Sequence, residues 1–280
     1  MNKKSLLLIA SVALGISMSA AELTVISTEE LDVKGYYPTI SPTGSVLLFT
    51  SEDHDGLKML DLASKEVSVI DENPGTGFDP VFSSDGKEIV YRTIVRQDGL
   101  IRRDVQRFDL ATGQKVQLLE PTRKVINTRA LMSETFAYGM SDKQAIEVSI
   151  AGDTKIINPI QAGYRYLWTS ISPSNNKLLF NEVYSGLYVS ELDGTKAKHL
   201  AARAEFPCWV DDNYVIALYT EDDGYVVTKS KIIAINVETG ESKYLTDDNV
   251  LVNGITAVSN KIVYATEEGQ MYIMNIKIAE

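Results

Sequence analysis

One feature limits the fold of this chain more than any other, a repeat with a period near 43 residues. Short alternating or β-branched runs follow polar turns at 46–50, 88–93, 177–181, 214–219 and 261–266, with a weaker run at 135–140. Such runs read as strands. Taking Phe49, Tyr91, Tyr138, Phe180, Ile216 and Tyr264 as markers, the spacings are 42, 47, 42, 36 and 48. A third strand follows each marker, around Leu60, Phe108, Val148, Ser190, Ile235 and Met274. A fourth is expected at 66–70, 115–119, 154–157, 196–200 and 241–245. Each unit is therefore four short antiparallel strands. A sheet this small cannot bury both faces alone, but six arranged radially cover one another. A pair of β-sandwiches is the rival, and it does not explain one period running across the chain.

The expected fold is all-β: a six-bladed β-propeller of four-stranded antiparallel blades over 22–280. The sixth unit has three strands before Glu280. The segment 22–27, with Leu23-Thr24-Val25-Ile26, resembles a fourth strand and is expected to complete the last blade. Closure of this kind removes open sheet edges.

Residues 1–21 read as an export signal. Lys3 and Lys4 precede an apolar run at 6–16, and the small residues Ser17, Ser19, Ala20 and Ala21 follow. The run is too short to span a bilayer, which takes about 20 apolar residues, so no membrane insertion is expected.

Composition narrows the function. Of 280 residues, 38 are acidic and 27 basic, for a formal charge of −11. Such a chain repels phosphate backbones, and no nucleic acid is expected as a partner. The single cysteine, Cys208, and only two histidines argue against a disulfide framework and a zinc centre. No nucleophile elbow or phosphate loop occurs. His54, between Asp53 and Asp55, reads as part of a solvated hairpin turn, and His199 as a strand residue. The acidic loops at Asp53/Asp55 and Glu221/Asp222/Asp223 lack calcium-loop spacing and read as turns. Neither a metal, a cofactor nor a catalytic residue is assigned.

The string Phe78-Asp79-Pro80-Val81-Phe82-Ser83-Ser84-Asp85-Gly86 resembles the repeat of the TolB-type (WD40-like) six-bladed propellers. So does Tyr37-Pro38-Thr39-Ile40-Ser41-Pro42-Thr43-Gly44. Weaker copies occur at 168–180 and at Phe206-Pro207-Cys208-Trp209, while the third unit has lost the motif. The resemblance implies a propeller, a periplasmic address and a protein partner of the cell envelope. In the motif, Pro suits the start of a strand, and the Ser side chain can hydrogen-bond the turn.

In an up-and-down blade, the connections between blades and the loops between second and third strands share a face. Here those connections are rich in aromatic and arginine residues, including Tyr164, and the opposite face carries short turns. The candidate binding residues are Tyr37, Phe78, Asp79, Arg102, Arg103, Arg129, Arg165, Tyr166, Trp168, Glu205 and Phe206. Tyr, Trp and Arg are common anchors of binding surfaces. Arg92, Arg96, Arg102, Arg103 and Arg107 form a cluster that reads either as an acidic-partner contact or as a ribbon paired with neighbouring acids. The functional expectation is a non-enzymatic monomer that binds an envelope protein. A glycan-binding or glycan-cleaving propeller is the alternative.

Overall fold

The computed structural model describes residues 22–140, 142–160, 165–248 and 250–279. The segment 1–21, expected to be an export signal, and Tyr164 lie outside the described residues. The chain opens with β1 (Leu23–Lys34). Blade one is β2 (Tyr36–Ile40), β3 (Val46–Thr50), β4 (Leu57–Asp61) and β5 (Val67–Asp71). Blade two is β6 (Val81–Phe82), β7 (Glu88–Gln97), β8 (Leu100–Asp109) and β9 (Lys115–Thr122). A helix, α1 (Thr128–Met132), precedes blade three, which is β10 (Phe136–Met140), β11 (Ala145–Ile150) and β12 (Asp153–Ile157). Blade four is β13 (Tyr166–Ile171), β14 (Lys177–Glu182), β15 (Gly186–Glu191) and β16 (Lys198–Ala201). Blade five is β17 (Glu205–Trp209), β18 (Tyr214–Asp222), β19 (Val227–Asn236) and β20 (Ser242–Tyr244). Blade six is β21 (Val252–Val258), β22 (Lys261–Thr266) and β23 (Gln270–Ile278), completed by β1.

Closure by the N-terminal strand is as expected. β1 pairs antiparallel with β23 from Leu23↔Ile278 to Lys34↔Gln270, and it runs further than the expected 22–27. Two bulges accommodate the extra length, between Val25 and Ser27 and between Glu30 and Lys34.

The second strands show why the sheets stack radially. Leu47 and Leu48, Ile89 to Tyr91, Leu178 to Phe180, and Val215 to Ala217 are buried at successive positions. Successive strand residues point to opposite faces, so both faces of each blade are covered. Among the described residues, the core divides into six clusters, one at each blade interface.

A single polar device starts the second strand in three blades. The hydroxyl oxygens of Ser41, Ser83 and Ser172 each accept from backbone amides four and five residues on, at 3.0–3.3 Å. In blade five Asp211 takes that place, accepting from the Asn213 and Tyr214 amides. Local side-chain acceptors of this kind fix tight turns.

Blade three departs from the unit. Among the described residues its sheet holds three strands, and α1 stands where a first strand would lie. Asn127 caps the helix, its Oδ1 accepting from the Arg129 and Ala130 amides. Ile126, Leu131 and Met132 pack on Val90 and Val105, so the helix fills the gap between blades two and three.

Candidate functional site

The loops expected to share a face are hydrogen-bonded to one another. Gly77 N donates to the His54 carbonyl at 3.0 Å, Gly35 N to that of Gly269 at 2.8 Å, and Val183 N to that of Arg165 at 3.1 Å.

In or just before the first strands of blades one, two, four and five, one residue each stands at this face in the left-handed backbone region. These are Tyr37 (φ 50°), Asp79 (φ 51°), Trp168 (φ 47°) and Phe206 (φ 50°). For Tyr37, Trp168 and Phe206 the strand pairing slips at the same place, between Tyr36 and Thr39, Leu167 and Ser170, and Glu205 and Cys208. Bulges re-aim side chains in this way. Bulky residues are rare in this conformation, which costs about 1–2 kcal/mol per residue.

The side chains so placed form an arc. The Tyr37 ring stacks on His54 with centroids 4.0 Å apart, and His54 meets Phe78 edge-on at 5.2 Å. The Arg92 guanidinium lies 4.5 Å from the centre of the Phe78 ring. Asp79 faces Arg129 at 3.8 Å, and Arg129 Nη1 donates to the carbonyls of Ala137, at 3.2 Å, and of Thr169. Trp168 and Phe206 pack 4.7 Å apart across blades four and five. Phe78 is half-exposed, at 50%.

Burial sets the electrostatics. It lowers the His54 pKa from 6.5, although the Gly77 backbone, Asp53 and Asp55 all act to raise it. His54 Nδ1 is buried without a hydrogen-bond partner among the described residues. Burial likewise lowers the Arg92 pKa, while Asp79 opposes the shift and Arg103 adds to it. Glu205 is raised by burial and by the Asp222 carboxylate.

Of the expected residues, the structure gathers Tyr37, Phe78, Asp79 and Arg129 on one side of the arc. It places Trp168, Phe206 and Glu205 on the other. Arg102 and Arg103 sit further out on the β7–β8 hairpin, and Arg165 is exposed beside the undescribed 161–164 segment. Tyr166 is corrected: it is 3% exposed, and its hydroxyl donates to Asn158 Oδ1 and accepts from the Ile160 amide at 3.2 Å. Its ring packs edge-on against Phe180, so it belongs to the core between blades three and four. His54 is corrected too, because it is stacked between rings rather than solvated in a turn. Arg92 also belongs to the arc, through its contact with the Phe78 ring.

The carboxylates of the acidic loops accept from backbone amides, Asp222 and Asp223 within their own loop and Asp55 from the loop that follows β5. Asp55 Oδ1 accepts from Gly75 N, Asp222 Oδ1 from Gly224 N, and Asp223 Oδ1 from the Tyr225 and Val226 amides. On the opposite face the short turns enclose an open cavity of about 780 Å³, lined by Pro42, Pro173, Trp209, Asp211, Asn260 and Lys277 among others.

No family model and no curated protein matches the sequence. Solved structures do. A protein from Agrobacterium tumefaciens, provisionally assigned as TolB, aligns with a TM-score of 0.57 and 16% identity over 88% of this chain and 90% of its own. The β-propeller domain of Cps50 (Swd1) from Myceliophteria thermophila aligns at 0.51 with 12% identity, covering 88% and 99%. This is a β-propeller fold. A Bacteroides thetaiotaomicron structural-genomics protein of unknown function gives 0.59 with 8% identity, covering 92% and 76%. At these identities the likeness to the TolB-like propeller is one of fold. No helix among the described residues is long and apolar enough to cross a membrane.

Proposed function

We propose that this chain is an exported, non-enzymatic platform that binds a protein partner of the cell envelope through its loop-rich face. One observation carries the reading. Glycine, asparagine or aspartate would satisfy the four left-handed positions at the blades' first strands at least cost, yet three of these hold Tyr37, Trp168 and Phe206. Strained positions that keep large rings are characteristic of sites where the ring is used. The periplasmic address is supported by the pattern of Lys3, Lys4 and the 6–16 apolar run, together with the repeat's resemblance to the TolB type.

Affinity capture from envelope extract tests the reading. Wild-type protein recovers a partner that is depleted with Trp168→Ala or Phe78→Ala protein of unchanged secondary structure. Equal recovery by both variants would remove the rim from the site.

A glycan role is the second reading. It is favoured by the ring pair Trp168–Phe206, with Glu205 adjacent to Phe206 in the chain and its carboxyl pKa pushed up by burial and by Asp222. A glycan array with a lyase assay on any hit decides it.

A further inference from the structure

β7 and β8 pair in unbroken register from Glu88↔Asp109 to Gln97↔Leu100. Opposed residues share a face, so Arg92, Ile94 and Arg96 line up with Arg103 and Ile101 on one side of the ribbon. Residues two apart on a strand are about 6.8 Å apart, which makes this stripe about 14 Å long. β6 ends its pairing with β7 at Val90, the Ile94 amide then donates to the Pro74 carbonyl at 2.9 Å, and β9 accompanies β8 as far as Arg103, so only the tip from Val95 to Arg102 extends beyond the neighbouring strands.

The stripe is cationic and unneutralised. Seven of the nine arginines in the sequence fall between positions 92 and 129. Among the described residues, no carboxylate lies within 4.0 Å of Arg92, Arg96 or Arg103. This holds in a chain with 38 acids to 27 bases, where a ribbon paired with its own acids was one expectation. Asp79 acts electrostatically on Arg92 from beyond ion-pair distance, and its carboxylate faces Arg129 at 3.8 Å. Guanidinium groups held together without counter-charges are a receptor for carboxylates, whose geometry they match bidentately. Between the arginines, Ile94 and Ile101 are exposed at 36% and 47%.

We infer that this stripe takes an acidic peptide segment of the partner, with carboxylates at the arginines and apolar side chains at the isoleucines. The inference rests on the platform reading above and adds the chemistry of the partner to it. A peptide fits better than an acidic glycan because the stripe beyond Arg92 presents the aliphatic Ile94 and Ile101, and the nearest ring, Phe78, carries the Arg92 guanidinium on its face. The alternation of charge and aliphatic surface every second residue matches an extended polypeptide.

Fluorescence anisotropy with the full chain tests this. The probe is a dye-labelled dodecapeptide of three Glu-Ser-Leu-Ser repeats, which in an extended chain presents Glu and Leu in turn on one face at the 6.8 Å spacing of the stripe. Gln–Leu and Lys–Leu counterparts and an oligogalacturonate of equal charge are the comparisons. The Glu–Leu peptide is expected to bind at least 10-fold tighter than the other two peptides, and binding should weaken as salt rises. R96Q/R103Q, two exposed changes, is expected to weaken binding at least 10-fold, and R96K/R103K by less. Absence of Glu–Leu binding, equal binding by wild type and R96Q/R103Q, or tighter binding of the oligogalacturonate would each overturn the inference. The platform reading fails separately. Envelope capture that depends on Trp168 but not on Arg96 and Arg103 leaves the platform standing and sinks the acidic peptide, whereas capture that depends on neither sinks both.

Discussion

The Tyr91 hydroxyl of blade two donates a 2.9 Å hydrogen bond to Asp71 Oδ2 at the end of blade one. The Lys115 ammonium reaches the same oxygen at 3.0 Å, and both the amide and the side-chain nitrogen of Asn73 donate to Oδ1. Tyr91 is fully buried and Asp71 nearly so. One carboxylate thus ties the last strand of blade one to two strands of blade two. Burial alone would raise the Asp71 pKa, but the Asn73 amide, Lys115 and Tyr91 together hold it below the usual 3.8.

Acid weakens this tie in a defined window. A carboxyl with a depressed folded pKa stabilises above its unfolded value, and loses that contribution as pH falls through the folded value. Asp71→Asn is expected to cost about 2 kcal/mol at pH 7, because it leaves buried donors poorly satisfied. Urea titrations at pH 7 and at pH 3 check this, with the gap between wild type and variant narrowing at the lower pH.

Ring closure depends on Leu23, which is fully buried against Ile276, Met274 and the blade-five strands. Leu23→Ala is expected to destabilise the whole ring by about 3 kcal/mol, the usual cost of such a cavity. Ile26, exposed on the same strand at 62%, is the comparison, and Ile26→Ala is expected to stay within about 0.5 kcal/mol of wild type. Chemical denaturation measures both.

Gly139 marks where blade three meets blade four. A Cβ there would fall inside the Tyr166 carbonyl. Gly139→Ala is therefore expected to destabilise by about 2 kcal/mol through forced backbone movement, even though alanine is the better strand residue. A lowered melting temperature with an unchanged strand spectrum is the expected result.

Trp168→Gly separates strain from function. Relief of the left-handed backbone offsets about 1 kcal/mol, against loss of the Phe206 contact and some buried area. The net loss of stability is expected not to exceed about 2 kcal/mol, while partner capture is lost. Melting temperature and capture, measured on one preparation, check the two halves.

Architecture was legible in the sequence because the blade unit is local. Strands, serine-capped turns and the closing segment all lie within one period of their partners or at the chain's start. What was not legible depended on contacts across blades or on broken alternation. Tyr166 and Trp168 would share a face in a regular strand, but the slip between Leu167 and Ser170 buries the first and leaves the second at the rim. His54 lies in a hydrophilic run and is claimed by Tyr37 and Phe78, from two other segments. The five residues of α1 are too few to show helical periodicity, although Asn127 was available as a capping signal. The arginine hairpin was visible, but whether its charges were neutralised required the positions of the acids.

The claim that the loop-rich face is the docking face is tested most directly by site-specific photocrosslinking in the native cell. A photoreactive residue replaces half-exposed Phe78 on that face or exposed Asn260 on the turn face. Position 78 is expected to yield one discrete protein adduct that competes away with unlabelled chain, and position 260 none. An adduct from position 260 with none from position 78 would contradict the account.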